Sequence, residues 1–507
     1  MNWKAYKNLS EEEKRNEVNY IIGLDVGNDS SAIAFYNLSD NTTEAIDLSG
    51  GYGKPTIPTV MQYIPETKEW VFGEYAILNK GLGLQFSSLT KRLGFFDYID
   101  VDGRSLSVAS VLAMFIKELL GNVKNINPRA EIVGIVVSVP AYFSEQANEE
   151  LKKVFKLAGY EKELISFVSD RECVLAYSYQ NQNVEEEKAL ILDFGNRELR
   201  GGLYDVKSND GEIKATSVSS VFDEEISLAA IDIEVTNLFY SFLPENADQS
   251  LRENIPPFAY QHKDMLFQKN IRTKPIKLYY NFIYPPAQHT LEYNQVSQMI
   301  SPYEKKINKF IKDVLDKNLM SKKIPPSQVN TILCVGGGFD MLWAREEILN
   351  IFDKEKVKFF KNPKLIMAEG AAYIAAYSLG IAKTKLSLED NHRLSSDIGL
   401  LTKDNFITLV ERNGFWWQKH SSIFVLINEE VDGEYNLQIT KRLAENDITT
   451  LTHINLQGLP LRPKGVTRLK IKPDFKTNKE MTITVTDKGF GELFPKSDFK
   501  QEFLVNL

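Results

Sequence analysis

Two short segments of the sequence place an aspartate and a glycine directly after an apolar run. They are Asp25–Asn28, which reads Asp-Val-Gly-Asn, and Asp193–Asn196, which reads Asp-Phe-Gly-Asn. A strand that turns sharply there presents backbone N–H groups, and the glycine lets an oxyanion approach without meeting a Cβ atom. Two such loops face to face could clamp the phosphates of a nucleotide, with Asp25 and Asp193 holding Mg²⁺ through water. For one isolated segment, the alternative is a glycine that serves only the turn.

A third glycine junction follows the apolar run Thr331–Val335. Its glycines, Gly336, Gly337 and Gly338, precede a segment with helical character. That place suits phosphate or adenosine, because the first N–H groups of a helix have no partner within the helix. Three junctions in one chain favour a nucleotide site over glycines that only turn the backbone.

The elements that must position these junctions alternate between strands and helices. The run Ile21–Asp25 and the stretch Ala32–Tyr36 predict a strand, a tight turn and a second strand. The same pattern recurs at Ala189–Asp193 and Gly202–Val206, which predicts an internal repeat. Between the two copies, Glu131–Pro140 is rich in β-branched residues, as in a strand that is buried on both faces. The sequence therefore predicts α/β architecture for this part of the chain.

The pattern changes after Gly380. From there to the C-terminus apolar and polar residues alternate, with turn residues at intervals, as in a β-sandwich. The predicted division has residues 1–18 as an N-terminal extension, 19–383 as the α/β domain, 384–394 as a linker and 395–507 as the sandwich.

Composition limits the classes of function. The chain has 507 residues, a formal net charge of −8 and a pI near 5.5, so its surface as a whole repels nucleic acid and anionic lipid. We therefore expect no nucleic-acid partner and no membrane partner. The N-terminal segment lacks the apolar core of a signal peptide, and no apolar run reaches membrane-spanning length. The expectation is a soluble, cytoplasmic protein in which Cys173 and Cys334 are small core residues.

The residues around these junctions resemble those of the seventy-kilodalton heat-shock chaperone (Hsp70) family, over nearly the whole chain. Ile22–Gly27 resembles the first phosphate loop of that family's actin-like, ribonuclease H-like ATPase domain. Val137–Phe143, which reads Val-Ser-Val-Pro-Ala-Tyr-Phe, resembles a specific strand motif of the same domain, and Glu369–Ala372 resembles its closing helix. Leu456–Gly465 and Thr486–Gly489 resemble the family's substrate-binding β domain.

The resemblance implies an actin-like, two-lobed α/β nucleotide-binding domain followed by an all-β sandwich, with ATP or ADP and Mg²⁺ as cofactors. It implies that Asp25 and Asp193 hold the magnesium ion through water and that Lys91 lies beside the γ-phosphate and the attacking water. These three are the expected catalytic residues. The residues expected to contact the nucleotide are Gly27, Asn28, Gly195, Asn196, Arg197, Gly336, Gly337, Gly338 and Asp340.

Both phosphate loops depart from the family's pattern. In the first loop, Asp29 brings a negative charge close to the expected phosphates. In the second loop, two glycines, a threonine and an aspartate of the family are replaced, and residues 196–200 read Asn-Arg-Glu-Leu-Arg. Arg197 and Arg200 could supply the charge that the lost backbone donors no longer give. The alternative is a solvated loop with a local ion pair.

Two further positions differ from the family. The glutamate of the family's Asn-Glu-Pro-Thr segment is either replaced by Ser169 or displaced to Asp170. Asp340 stands where the family has an arginine at the adenosine site. The sequence therefore predicts nucleotide binding with weak or absent hydrolysis.

The sandwich positions that line the family's peptide cleft carry mostly apolar residues here. The residues expected to bind peptide are Leu400, Lys403, Phe424, Ile427, Tyr435 and Leu437. For Ile427 and Leu437 the alternative is a place in the sandwich core. The family continues into a helical lid, whereas this sequence stops at Leu507 without one.

The expected function is that of a heat-shock chaperone. It would bind unfolded or extended polypeptide, modulated by ATP or ADP in an interlobe cleft, with a cochaperone as a further partner. One alternative is a non-enzymatic peptide-binding or scaffold protein with a degenerate nucleotide site, which the charged second loop supports. A second alternative is a small-molecule kinase of the actin-like superfamily, against which the C-terminal sandwich argues.

Overall fold

The chain folds into two compact units, Met1–Glu389 and Asp390–Leu507. The predicted extension over residues 1–18 and the predicted peptide-binding residue Lys403 lie outside the described residues. The computed structural model describes residues 19–37, 42–49, 53–78, 83–95, 97–126, 128–141, 143, 145–161, 164–180, 182, 184–209, 211–245, 247–267, 274–280, 287–316, 323–382, 384–389, 394, 396–402, 405–412, 416, 420–444, 447–477 and 480–507.

The first unit contains two lobes, each built on a sheet. The sheet of the first lobe has the order β11-β10-β1-β2-β3, with β4 paired to β2. The elements of this lobe are β1 (Asn19–Val26), β2 (Ser30–Asn37), β3 (Thr42–Ala45), β4 (Thr56–Pro58), β5 (Val60–Ile64), β6 (Glu69–Phe72), α1 (Glu74–Leu78), β7 (Leu84–Ser87), β8 (Tyr98–Val101), β9 (Arg104–Ser107), α2 (Val108–Gly121), α3 (Val123–Ile126), β10 (Glu131–Val139), α4 (Glu145–Leu157), β11 (Ile165–Ser169) and α5 (Asp170–Tyr179).

The second lobe follows in the chain, and its sheet has the order β18-β17-β12-β13-β14-β19. The elements are β12 (Glu187–Phe194), β13 (Leu199–Asn209), β14 (Glu212–Asp223), α6 (Leu228–Tyr240), α7 (Gln249–Glu253), α8 (Ile255–Leu266), β15 (Ile276–Tyr280), β16 (Ala287–Leu291), α9 (Tyr293–Asp316), β17 (Thr331–Val335), α10 (Leu342–Leu349), β18 (Val357–Phe359) and β19 (Lys385–Glu389). Helix α11 (Ile366–Ser378) lies between β18 and β19 in the chain but packs on the sheet of the first lobe.

The two sheets repeat one topology. In each, a hairpin (β1–β2 and β12–β13) is antiparallel, and its first strand pairs in parallel with a strand from far along the chain (β10 and β17). A further parallel strand, β11 or β18, follows. The internal repeat that the sequence predicts is therefore confirmed. Strand β10 is buried along most of its length, which explains its nearly continuous β-branched character.

Helix α11 packs against β1, β2, β10 and α5. It can approach closely because its sequence is rich in alanine and contains Gly370. A Cβ atom at Gly370 would lie 2.0 Å from the carbonyl oxygen of Cys173 on α5. Cys173 and Cys334 are both buried and unbridged, as small core residues should be.

Strand β19 covers half of the segment that the sequence assigns to a linker. It pairs in parallel with β14 at the edge of the second sheet. Leu386 and Leu388 are partly buried against the core of that lobe, next to Val206 and Ile213. The side chains of Leu386 and Leu388 thus hold residues 385–389 against the sheet. The rest of the predicted linker includes residues 390–393, which lie outside the described residues.

The second unit is a β-sandwich of two antiparallel sheets, with the orders β21-β20-β23-β24 and β22-β25-β26-β27. Its strands are β20 (Asp397–Leu401), β21 (Phe406–Val410), β22 (Ile423–Ile427), β23 (Glu434–Ala444), β24 (Asp447–Gln457), β25 (Thr467–Thr477), β26 (Glu480–Asp487) and β27 (Lys500–Asn506). Alternate residues, clearest in β26, fill one common core, as expected for strands with one buried face. Among the helices in the described ranges, none is long and apolar enough to cross a membrane.

Candidate functional site

Asp25 and Asp193 occupy equivalent positions in the two lobes. Each lies at the end of the first strand of its hairpin, where the strand turns toward its partner. The register places Asp25 opposite Ala32 and Asp193 opposite Arg200. Both aspartates line one cleft between the lobes. The repeat therefore brings the two carboxylates together, as the sequence predicts.

The Arg200 guanidinium contacts three carboxylates in this cleft. Its Nη1 donates to Asp170, its Nη2 donates to Asp193 Oδ2 at 2.5 Å, and its Nε lies 3.5 Å from Glu198 Oε1. The side chain of Arg200 is 18% exposed, and the three acidic side chains are between 8% and 11% exposed. The charged part of the second loop is therefore a buried ion-pair network and not a solvated loop; Arg197 alone among its charged residues is exposed.

Burial and the neighbouring carboxylates change the acidity of this cluster. Burial, followed by the charges of Asp193 and Asp170, raises the pKa of Asp25 to about 7, although Arg200 acts in the opposite direction. Burial also raises the pKa of Asp193 and of Glu198, against the lowering effect of Arg200. This shift brings the titration of Asp25 toward the neutral range, and the protonated form of the side chain can donate a hydrogen bond.

Asp170 enters the cleft because helix α5 begins there. Ser169 caps this helix: its hydroxyl accepts from the N–H of Glu172, and the Glu172 side chain accepts from the N–H of Ser169. Ser169 is therefore engaged in a capping box. Of the two positions that the sequence leaves open for the displaced family glutamate, Asp170 is the one that lines the cleft.

Lys91 lines the cleft from a short 3₁₀ helix of the first lobe, Leu89–Arg92. Its Nζ lies 2.9 Å from Glu224 Oε1, which follows β14 in the second lobe. On the same side, the Lys364 side chain lies next to Gly337 of the second lobe, and its Nζ is 3.6 Å from Asp29 of the first phosphate loop. Together with the Arg200–Asp170 contact, these pairs connect the two lobes across the cleft.

The first phosphate loop is held by a side-chain contact. Asn28 accepts a hydrogen bond of 2.6 Å from the hydroxyl of Thr90, the residue before Lys91. Gly27 and Asn28 line the cleft, as do Gly195, Asn196 and Arg197 of the second loop. The structure therefore brings these five predicted residues together.

The third junction contributes two of its three glycines to the cleft. Gly336 and Gly337 line it. Gly336 has a φ of 85°, and a Cβ atom there would lie 2.5 Å from Asp193 Oδ1 and 2.6 Å from the Phe194 carbonyl oxygen. Gly338 is instead covered by the Phe194 ring, 2.2 Å from the place of a Cβ atom.

Asp340 was expected to contact the nucleotide, but it does not line the cleft. Its carboxylate lies 3.7 Å from Arg345 Nη2 and is 55% exposed. Asp340 is the last residue of the short 3₁₀ helix Gly337–Asp340, which follows Gly336. Gly338 and Asp340 are thus the two predicted nucleotide-contact residues that the structure places elsewhere.

In the sandwich, most of the predicted peptide-binding residues are buried. Leu400 and Ile427 are 2% exposed, Leu437 is 6% exposed, and all three belong to the core of the second unit. Tyr435 is partly buried against the same core. Phe424 is 62% exposed on β22, an edge strand of its sheet. For Ile427 and Leu437 the sequence left a core position as the alternative. The structure places both residues in the core, and Leu400 as well.

Comparison with known proteins agrees with this geometry. A family model described as Hsp70 protein matches residues 96–493. The chain is 23% identical over 498 residues to the chaperone protein DnaK of Thermosipho africanus (strain TCF52B), which covers 94% of this chain and 79% of that protein. It is 24% identical over 497 residues to the chaperone protein DnaK of Thermosipho melanesiensis, covering 93% of this chain and 79% of that protein.

The chain belongs to the Hsp70 family. Its first unit has the actin-like, two-lobed architecture of this family, and its second unit is the C-terminal β-sandwich, so the predicted fold is confirmed. Membership supports a chaperone-like protein that binds ATP and polypeptide. Members of the family generally bind ATP or ADP with Mg²⁺, and they bind unfolded polypeptides and cochaperones.

The carboxylate cluster of this Hsp70 protein does not fit a magnesium ion well. Asp193 is already paired with Arg200, so a divalent cation at this carboxylate would meet a guanidinium charge. In the described ranges, no group of three or more histidine, cysteine, aspartate or glutamate side chains could hold a metal ion directly. We therefore derive no chemical step through a metal ion at this site.

Sequence reasoning did not identify every residue of the cleft. Lys364, which lines the cleft, and Glu224, which pairs with Lys91 of the cleft, were missed because only the folded chain brings each to its charged partner. Arg200 was noted as a source of charge, but its contact with Asp170 was not predicted. The hairpin register, which sets Arg200 opposite Asp193, could have shown the contact with Asp193, whereas the contact with Asp170 depends on where α5 begins.

Proposed function

We propose that this Hsp70 protein binds ATP or ADP in the interlobe cleft of its first unit and hydrolyses ATP slowly or not at all. The Arg200 network carries this proposal. It engages Asp193, one of the two carboxylates expected to hold the magnesium ion, together with Asp170, while Glu224 engages Lys91. The loops that accept the phosphate groups remain lined with glycines and with the exposed Arg197. Binding is thus supported better than turnover.

The first prediction concerns nucleotide binding. ADP at about 100 times its Kd should raise the free energy of unfolding by about 2.7 kcal/mol. In the variant Gly336→Ala this stabilisation should be lost, because the new Cβ atom would collide with the Phe194 carbonyl oxygen and Asp193. Thermal unfolding and calorimetric titration of the full chain measure both effects.

A matched control for this variant is Gly211→Ala. Gly211 also has a positive φ, of 80°, but no atom lies within 4 Å of its Cβ position. The control variant therefore has the same backbone strain without the collision in the cleft, and it should bind ADP as the wild type does.

The rate of ATP hydrolysis is a separate test. Phosphate release by the wild type should stay close to that of Lys91→Ala. Rapid ATP turnover that Lys91→Ala abolishes would contradict the proposal of slow hydrolysis.

For the second unit we infer that extended polypeptide binds along the edge strand β22. Within the described residues, β22 pairs only with β25, and no strand of those residues pairs with its other edge. Phe424 and Leu426 are 62% and 49% exposed on this strand. An extended peptide can add to such an edge through backbone hydrogen bonds and place its own apolar side chains against these residues.

The second prediction tests this edge. Phe424→Ala should weaken the binding of an apolar, unfolded peptide by about tenfold, since burying an aromatic side chain contributes about 1.5 kcal/mol or more. Leu504→Ala is the control, because Leu504 is 54% exposed on β27, at the opposite edge of the same sheet. Fluorescence anisotropy of a labelled peptide measures both affinities. Equal losses in the two variants would show that β22 is not the binding edge.

The alternative function is a scaffold protein whose cleft has lost its nucleotide. Three ion pairs between the lobes favour it: Arg200–Asp170, Lys91–Glu224 and Lys364–Asp29. They can hold the cleft closed without a ligand. Absence of any shift with ADP or ATP, combined with normal peptide binding, would support this alternative. A cochaperone partner and a cytoplasmic location remain predictions of the sequence.

A further inference from the structure

One guanidinium faces three carboxylates in the cleft. Nη1 of Arg200 donates to Asp170 and Nη2 donates to Asp193, while Nε faces Glu198 at 3.5 Å. Three nitrogens of the guanidinium therefore each face an acidic group, and charge-assisted contacts of this kind are stronger than hydrogen bonds between neutral groups. The partners come from two lobes, because Asp170 begins α5 whereas Asp193 and Glu198 belong to the β12–β13 hairpin.

The fold fixes this guanidinium in place. Arg200 is directly opposite Asp193 in the β12–β13 ladder. Strand pairing, and not the conformation of the connecting loop, therefore places its side chain beside that carboxylate. In the other copy of the repeat, the residue opposite Asp25 is Ala32, which carries no charge. The arginine is thus a feature of one hairpin only. Its low exposure of 18% means that solvent screens these contacts weakly.

The fixed positive charge of Arg200 has the same electrostatic effect on the surrounding carboxylates as a bound cation would have. It reduces the repulsion between the carboxylates, and it links the two lobes across the cleft. A divalent cation would have to displace the guanidinium from Asp193 or accept its repulsion at close range. For a phosphate-bearing ligand, Lys91, Arg197 and Lys364 supply further positive charge around the same cleft.

We infer that Arg200 takes the place of the divalent cation in this cleft, so that the lobes close and a nucleotide binds without Mg²⁺. The part that concerns the nucleotide rests on the proposed function. The part that concerns the metal ion is independent of it, since it can be measured on the protein alone.

The test compares Arg200→Gln with Arg197→Gln in the full chain. Both variants lose one positive charge from the same loop, but Arg197 is exposed whereas Arg200 contacts the buried carboxylates. Thermal unfolding is measured without nucleotide in millimolar MgCl₂ and in NaCl of equal ionic strength. Binding of Mn²⁺, as a spectroscopic substitute for Mg²⁺, is measured by electron paramagnetic resonance. The affinity for ADP is then measured with Mg²⁺ and with EDTA.

We expect the wild type and Arg197→Gln to show no stabilisation by Mg²⁺ and no stoichiometric Mn²⁺ site. Arg200→Gln should gain both, because the carboxylates then lack their counter-ion. The ADP affinity of the wild type should change by less than about twofold with Mg²⁺, and that of Arg200→Gln by about tenfold or more. A variant that folds only with Mg²⁺ present would support the same inference.

Binding of one Mn²⁺ by the wild type, with stabilisation by Mg²⁺, would overturn the inference even if Arg200→Gln failed to fold. So would a tenfold gain in the wild-type affinity for ADP when Mg²⁺ is added, about 1.4 kcal/mol. Failure of the proposed function looks different. In that case neither ADP nor ATP binds under any condition, while the Mg²⁺ and Mn²⁺ measurements on the nucleotide-free protein still decide the role of Arg200.

Discussion

Replacing Asp487 by alanine should lower the free energy of unfolding of the sandwich by about 3–5 kcal/mol, the range found when one partner of a buried ion pair is removed. Asp487 receives two hydrogen bonds from Arg462, at 2.7 and 2.8 Å, and the two side chains are 0% and 4% exposed. Its carboxylate also accepts from the backbone N–H groups of Gly489 and Ser497. The alanine variant would leave the guanidinium buried without its counter-ion.

A surface ion pair of the same unit provides the control. Lys500 and Glu502 are 3.0 Å apart, and their side chains are 60% and 55% exposed. Glu502→Ala should therefore cost about 0–1 kcal/mol. Hydrogen exchange of the β25 and β26 amides in the full chain, followed by mass spectrometry, reports the stability of this unit separately from the first. A cost of less than about 1 kcal/mol for Asp487→Ala would show that Arg462 finds another partner.

The same pair predicts how stability changes with pH. Burial would raise the pKa of Asp487, but the hydrogen bonds from Arg462, Gly489 and Ser497 outweigh it and lower the pKa from 3.8 to about 2. A folded-state pKa below the unfolded value stabilises the fold above the unfolded pKa. This contribution should therefore be complete above about pH 5 and should be lost as the pH falls from 4 toward 2. In Asp487→Ala that part of the acid sensitivity should be absent.

The repeated hairpins were predictable because their signal is local. An apolar run that ends in Asp-x-Gly and is followed by a second apolar run specifies a strand, a turn and a strand without reference to the rest of the chain. The equivalence of Asp25 and Asp193 follows from that pattern alone. The position of Asp170 in the cleft depends instead on where α5 begins, and Ser169 decides this through its capping box.

The peptide-binding residues show the limit of alignment on motifs. Along a strand, successive side chains point to opposite faces, so a shift of one position exchanges the core face for the exposed face. Leu400 is buried whereas Leu401 next to it is only partly buried, and Phe424 and Leu426 are exposed whereas Ile427 is buried. A family motif predicts that a strand is present, but it does not predict which residues of the strand face the core. The packing of the two sheets against each other decides that.

The ion pairs across the cleft were not predictable for a different reason. Lys91 and Glu224 are 133 positions apart in the chain, and no sequence pattern around either residue predicts that the two side chains meet. Only the closure of the two lobes brings them within reach. Sequence reasoning therefore recovers the groups that one hairpin positions, and it misses the contacts that require two distant segments to meet.

Phe194→Ala should destabilise the first unit by about 3–5 kcal/mol, the usual cost of removing a fully buried phenylalanine side chain. Phe194 is 0% exposed, and its ring packs edge-on against Phe339 and Trp343, with centroid distances of 5.9 and 6.3 Å. It is the residue after Asp193, so its anchoring fixes the second phosphate loop. The ring also covers Gly338, where it leaves no space for a larger side chain.

The variant should therefore weaken nucleotide binding as well as stability, because Asp193 and Gly195 on either side lose their anchor. Phe194→Leu fills much of the same volume and should recover a large part of both, at a cost of about 1–2 kcal/mol. Phe95→Ala is the control, since Phe95 is 77% exposed in the first lobe, and it should cost less than about 0.5 kcal/mol. Chemical unfolding measures the stability, and calorimetric titration with ADP measures the affinity. If Phe194→Ala lowers stability but leaves the ADP affinity unchanged, the ring supports the core and does not position the loop.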